Sequence, residues 1–282
     1  MKKFLRWALL PAGLIGVALA GCTSDEADEP QPELPAHAPE LIEGDEPQLC
    51  TDGKSWVVRR HERVVDYDPE NLSDVTVTET DTYFKDVVEG DTICHGYKCR
   101  KVVRYEATAG ADGAYTAGRR VSAWACFEKG GAVYSLICSG SWPVRDVAGG
   151  TPTLLPLMDF GLAAGTWAEG WLCNYHFDGE TPAIEKVGLY DVVSVTGVTV
   201  NGVERRATVL DGGSAVGADG TVIDRNVIYV EGVGASRNNW LHRWEEYAQP
   251  GHQVYAYEEM VACYDSDRLI FTASDFRSIF SF

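Results

Sequence analysis

Few residue patterns in this chain of 282 residues set reactive groups at the spacings chemistry requires. His61-Glu62 opens an H-E-x-x-H arrangement, in which two imidazoles one helical turn apart hold zinc and the glutamate acts as base. Val65 stands where the second histidine must be, so an ion there lacks a facing ligand. Gly232-Val233-Gly234 lacks the third glycine of a dinucleotide loop and follows no βαβ pattern. Cys94-His95 and Cys99 offer soft-metal donors around a tight turn. In a two-residue hairpin, however, Cys94 faces Tyr97 and Thr92 faces Cys99. The thiols then lie diagonally on one face, which favours core residues or half of a disulfide. Asp66, Asp68 and Glu70 alternate as calcium ligands do, yet no glycine bends the segment around an ion. With 42 Asp and Glu in the chain, carboxylate pairs at glycosidase separation arise by chance. The expectation is no metal, no cofactor and no catalytic residue.

Aromatic residues are the remaining candidates. Trp142, Trp167, Trp171, Tyr175, Trp240, Trp244, Tyr247, Tyr255 and Tyr257 are dense for a strand-rich chain, and exposed rings stack on sugar faces while acidic groups accept hydroxyls. The segment Arg237-Asn238-Asn239-Trp240-Leu241-His242-Arg243-Trp244 concentrates them. In strand geometry Trp240, His242 and Trp244 share one face. If that face is exposed, Trp240 and Trp244 form a platform with Asn238 and Asn239 at its edge. If it is buried, both tryptophans are core.

The N-terminus carries a different chemistry. Lys2, Lys3 and Arg6 precede a short apolar run, which closes on Leu19-Ala20-Gly21-Cys22. Pro11 and Gly13 weaken the run as a permanent membrane helix, and it is short for a hydrocarbon core of ~30 Å. Small residues at Ala20 and Gly21 suit a peptidase cleft, and the Cys22 thiol can take a diacylglycerol. The run resembles the lipobox of bacterial lipoproteins, which implies residues 1–21 as signal peptide and Cys22 as the lipidated first residue. Residues 22–48 then read as a tether. From Thr23 to Pro47 there are nine acidic residues, five prolines and no Lys or Arg, a composition that cannot offset its own ordering entropy. Thr23-Ser24-Asp25-Glu26 resembles the acidic export signal of Bacteroidota-type surface lipoproteins. That implies an outer-membrane position facing the cell exterior, the alternative being a periplasmic face.

The rest, residues 49–282, reads as one all-β domain. In Val75 to Tyr83 threonines hold one parity through Thr82, the period of two expected of a strand with a wet face. Similar runs occupy Trp56 to Val65, Val121 to Phe127, Val133 to Cys138, Val192 to Val200, Val227 to Val230 and Gln253 to Tyr264. No long stripe of helical period occurs, so any helix must be short. Asn201-Gly202 and His95-Gly96 fit two-residue hairpin turns, with further tips at Lys129 to Gly131 and Asp265 to Asp267. Asp211 to Gly220 reads as a loop. Aligning the two hairpins sets Cys94 with Val200 and Arg100 with Arg206, which suggests two related halves meeting near Leu154 to Trp167.

Several short motifs stand in order along the chain: Gly90-Asp91-Thr92-Ile93, Leu157-Met158-Asp159-Phe160-Gly161-Leu162, Asn201-Gly202-Val203 and Glu231-Gly232-Val233-Gly234. In that order they resemble a group of uncharacterised Bacteroidota cell-envelope lipoproteins. The resemblance implies fold and address, and no chemistry.

Lys and Arg number 24 against 42 acidic residues, a net charge of −18, and such a surface repels phosphate backbones. Nucleic acid is therefore excluded as an expected partner. Seven cysteines remain beyond Cys22, and their pairing stays open. The fold expected is an antiparallel meander or sandwich of about a dozen strands. The function expected is a non-catalytic binding or adhesion module, attached to the membrane through its lipid and engaging glycan or an envelope protein. The alternatives are a hydrolase of envelope or dietary glycan and a purely structural envelope component.

Overall fold

Runs rich in Val, Thr and Tyr with period two become strands throughout the computed structural model, which describes residues 49–94, 97–111, 113–136, 156–174, 183–237 and 245–279. The leader, Cys22 and the tether lie outside the described residues. The first sheet opens with β1 (Ser55–Asp68), β2 (Asn71–Cys94), β3 (Tyr97–Ala109), β4 (Tyr115–Lys129), β5 (Ala132–Leu136) and β6 (Pro156–Asp159), hydrogen-bonded in chain order. The second comprises β7 (Trp167–Asn174), β8 (Ala183–Val200), β9 (Val203–Asp211), β12 (Val227–Val230) and β13 (Gly234–Ala235). Two short strands, β10 (Ser214–Val216) and β11 (Val222–Asp224), make a separate hairpin between β9 and β12. The chain then returns to the first sheet. Strand β15 (His252–Asp265) pairs antiparallel with β1, and β14 (Glu245–Gln249) and β16 (Arg268–Thr272) pair with opposite ends of β15. A seven-residue helix, α1 (Ala273–Ile279), closes the order.

The all-β antiparallel expectation holds. The described residues contain sixteen strands rather than about a dozen, the surplus being strands of two to five residues such as β6, β10, β11 and β13. The Asp211 to Gly220 run is not wholly loop, because Ser214–Val216 pairs with Val222–Asp224. Asn201 and Gly202 have φ of 53° and 78° between the paired Val200 and Val203, the mirror-image turn that matches strand twist. Cys94 pairs with Tyr97 and Thr92 with Cys99, as a two-residue connection requires; His95 and Gly96 lie outside the described residues. Helix α1 starts on a capping box: the Asp275 carboxylate accepts the Thr272 N–H at 2.7 Å while the Thr272 hydroxyl faces the Asp275 N–H at 3.4 Å.

The two halves are related in detail. Strand order β1-β2-β3-β4-β5 in one sheet matches β7-β8-β9-β12-β13 in the other, with β10 and β11 inserted only in the second. Ahead of each first strand the same knot of backbone bonds forms. Gly53 N–H donates to Val88, Lys54 N–H to Thr51, and Val88 N–H to Lys54, at 2.9, 3.1 and 2.9 Å. Gly165 N–H donates to Val192, Thr166 N–H to Ala163, and Val192 N–H to Thr166, at 2.9, 3.2 and 2.8 Å.

The halves share one core. Trp56, Val58, Val102 and Met260 from the large sheet meet Leu210, Ile228 and Val230 from the smaller one, with Phe276 of α1 against them. Their turns also interlock. The Trp56 indole N–H donates to the Val233 carbonyl at 2.7 Å and the Lys54 ammonium to the Gly232 carbonyl. Burial pushes the Lys54 pKa down, and these contacts keep its polar end satisfied. In return, the Tyr229 hydroxyl donates to the Leu157 carbonyl at 3.2 Å and the Arg206 guanidinium to that of Leu162.

Candidate functional site

Strand β1 sits at the middle of the large sheet, between β2 and β15, so its alternation decides what each face presents. Trp56 and Val58 point into the core. Arg59, His61 and Arg63 therefore occupy the opposite face. Register completes three rows across it: Tyr83, Arg59 and Glu259; Asp81, His61 and Tyr257; Glu79, Arg63 and Tyr255. The same alternation separates His61 from Glu62, which removes the half motif for zinc on geometric grounds as well.

Polar side chains on this face are tied together. The Arg59 guanidinium bridges Glu259 on β15 and Asp81 on β2, the latter at 3.5 Å. His61 Nδ1 lies 2.8 Å from Asp81 Oδ1, and its ring packs against Tyr257 with centroids 5.3 Å apart. Arg237, bridged to Glu259 at the free edge of β15, binds the Glu259 carboxylate at 3.2 Å and stands 5.4 Å over the Tyr257 ring. A second aromatic pair lies one row away, where Tyr83 meets Tyr115 of β4 at 5.3 Å between centroids. Burial raises the Tyr257 phenol pKa and Glu259 adds to this, with Arg237 and Arg59 opposing. Burial and Tyr83 raise that of Tyr115. Both hydroxyls are neutral donors and acceptors at neutral pH.

The inserted β10–β11 hairpin bounds one end of the face. Asp219 and Thr221 engage the Arg63 guanidinium, and Ala218 N–H donates to Gln253 Oε1 at 2.8 Å. Val65 beneath it is fully buried. The middle of the face stays open to solvent, with the Arg59 and Asp81 side chains 34 % and 36 % exposed. Ion pairs at that exposure are worth about 0–1 kcal/mol each, so stability alone gives little reason for so many on one face.

A buried charge cluster lies on the other side of the sheet. Arg104 holds Asp86 through Nε and Nη2 at 2.7 and 2.8 Å, and Glu258 through Nη1 and Nη2 at 2.6 and 2.9 Å. Its guanidinium also lies 5.0 Å from the Phe84 ring centre and 5.4 Å from that of Trp124. Burial raises the Asp86 pKa against the pull of Arg104. It also disfavours the Arg104 charge, but the two carboxylates outweigh that and lift the guanidinium pKa well above its ordinary value. Both carboxylates bond the same guanidinium and are shielded from water, an arrangement that holds strands together rather than one that moves protons.

Trp240, Trp244, Asn238 and Asn239, the platform expected from sequence, lie outside the described residues, as do Trp142 and Tyr175. Tyr255 is buried and Tyr257 half-buried on the polar face, while Trp167 is 62 % exposed at the start of β7. Sequence reasoning took His61 only as half of a zinc motif and passed over Arg59, Asp81, Tyr83 and Glu259. The only signal for them was the unbroken charged run Arg59 to Arg63 between Trp56-Val57-Val58 and Val64-Val65, which does not say which of its residues share a face. Among the described residues no cluster of three or more His, Cys, Asp or Glu is arranged to hold a metal ion, and no helix is long and apolar enough to cross a membrane. No protein-family model, no curated protein and no solved structure matches the chain.

Proposed function

We propose that this chain is a non-catalytic binding module, presented on the outer membrane surface by a lipid on Cys22, and that it engages glycan through the polar face of β1, β2 and β15. One observation carries the reading. Two half-exposed aromatic pairs, His61 with Tyr257 and Tyr83 with Tyr115, flank a fixed network of Arg59, Asp81, Glu259 and Arg237 on one sheet surface. Flat rings take the apolar faces of sugars, while guanidinium and carboxylate groups already held in place take the hydroxyls. Strand spacing of ~4.8 Å and two-residue steps of ~6.8 Å put Tyr83 and Tyr257 about 12 Å apart, the span of a short oligosaccharide. Membrane attachment rests on the lipobox-like run and the acidic tether, and the likeness to Bacteroidota envelope lipoproteins agrees with it.

The test is a printed array of neutral and acidic oligosaccharides probed with the mature chain, its Tyr83→Ala and Tyr257→Ala variants, and a Trp167→Ala control. Retention of one glycan class, lost in both tyrosine variants and kept in the control, is the expected outcome. An array without signal, or variants that bind as the parent does, contradicts the proposal.

A further inference from the structure

Cys50 stands where the chain enters the folded domain, five residues ahead of β1. The N–H groups of Leu49 and Cys50 both donate to the Glu128 carboxylate, at 2.8 and 3.1 Å. Glu128 and Cys126 are two apart on β4, so their side chains share one face of the strand. The clamp on Glu128 thereby seats the Cys50 thiol on that of Cys126, with the sulfurs 3.2 Å apart and the Cys126 S–H donating. Both side chains are wholly excluded from solvent. The sulfurs have only to close from 3.2 Å to the ~2.05 Å of a disulfide bond, and 76 positions of chain separate them.

We infer that Cys50 and Cys126 form a disulfide that staples the end of the tether to β4. The oxidant is an exogenous disulfide, either a protein of the exporting compartment or oxidised glutathione. The thiolate of one cysteine attacks it and expels a thiolate, and the second cysteine then attacks the mixed disulfide and expels the other. Two protons and two electrons leave the pair, and the oxidant departs as two thiols. Exchange precedes the docking of residue 50 onto β4, because afterwards no reagent reaches either sulfur. Burial and the neighbouring thiol also disfavour the thiolate in the folded dithiol. The bond encloses β1, β2 and β3 in a covalent loop, so tension arriving through residues 22–48 passes to β4 instead of peeling β1 from between β2 and β15.

The experiment refolds the full mature chain in a glutathione redox buffer, which keeps its outcome separate from any failure of export or of glycan binding. The product is denatured without reductant, alkylated with iodoacetamide and mapped by mass spectrometry. The expected result is one linked peptide pair containing Cys50 and Cys126, two hydrogens lighter than the separate peptides. Cys126 takes the alkyl group in a Cys50→Ser chain, and Cys50 does so in a Cys126→Ser chain. Reductant should lower the urea midpoint of the parent and leave that of either variant where it is. Alkylation of both residues in the refolded parent, or a link from either to a different cysteine, overturns the inference.

Discussion

Gly53 and Gly165 are structural equivalents 112 positions apart: each has φ near 80°, and each gives its N–H to a valine carbonyl of the second strand in its own half. That backbone region is closed to most side chains, since a Cβ meets the following carbonyl there. A Cβ on Gly165 meets nothing within 4 Å, and one on Gly53 meets only Ser266, Oγ at 3.4 Å and Cα at 3.9 Å in ordinary contact, so conformation sets the cost at both sites. Gly53→Ala and Gly165→Ala should each lower stability by about 1–2 kcal/mol in urea denaturation. A neutral result at either position would break the equivalence of the halves.

Arg104 makes a second, asymmetric prediction. Arg104→Leu removes the cation that both buried carboxylates share and should cost about 3–5 kcal/mol. Asp86→Asn leaves a neutral Arg104–Glu258 pair and should cost only about 1–2 kcal/mol at neutral pH. Burial raises the Asp86 pKa above its ordinary 3.8, so the folded chain holds that proton more tightly than the unfolded one. The stability this supplies is complete below 3.8 and is lost as pH climbs through the raised value. The deficit of Asp86→Asn relative to the parent should therefore shrink from pH 3 towards pH 7, measured as urea midpoints across the range. A deficit that widens over that range contradicts the assignment.

Much of this architecture was legible because it is local. The Thr parity of residues 76–82 marks β2, and Asn201-Gly202 marks a hairpin wherever it sits between β-branched residues. What joins distant segments was not legible. Strand β15 pairs with β1 across about 200 positions, and only that pairing sets Tyr257 beside His61 and Glu259 beside Arg59. Arg104, Asp86 and Glu258 likewise sit on three strands and meet through register. In sequence Asp86 follows Lys85, Glu258 precedes Glu259 and Arg104 follows two valines, patterns equally suited to a wet face. The tryptophans drew attention through density, whereas the polar face is built from tyrosines, a histidine and arginines that no spacing rule singles out.

The proposed lipidation can be tested apart from the fold. Cys22→Ser removes the sulfur that would carry the acyl chains, so the variant should leave the detergent phase of a phase-partitioned membrane fraction while the parent stays in it. A variant that remains in the detergent phase contradicts anchoring at Cys22.

Titration of the parent and of Tyr257→Ala with the best-retained array oligosaccharide tests the binding face most directly. Tyr257 is half-buried on the polar face of the sheet, away from the shared core, so the truncation should cost about 1 kcal/mol or less of stability. Loss of a ring that stacks on the ligand should weaken binding by about tenfold or more. Unchanged affinity in a folded Tyr257→Ala chain would place the glycan elsewhere and refute the face assigned to it.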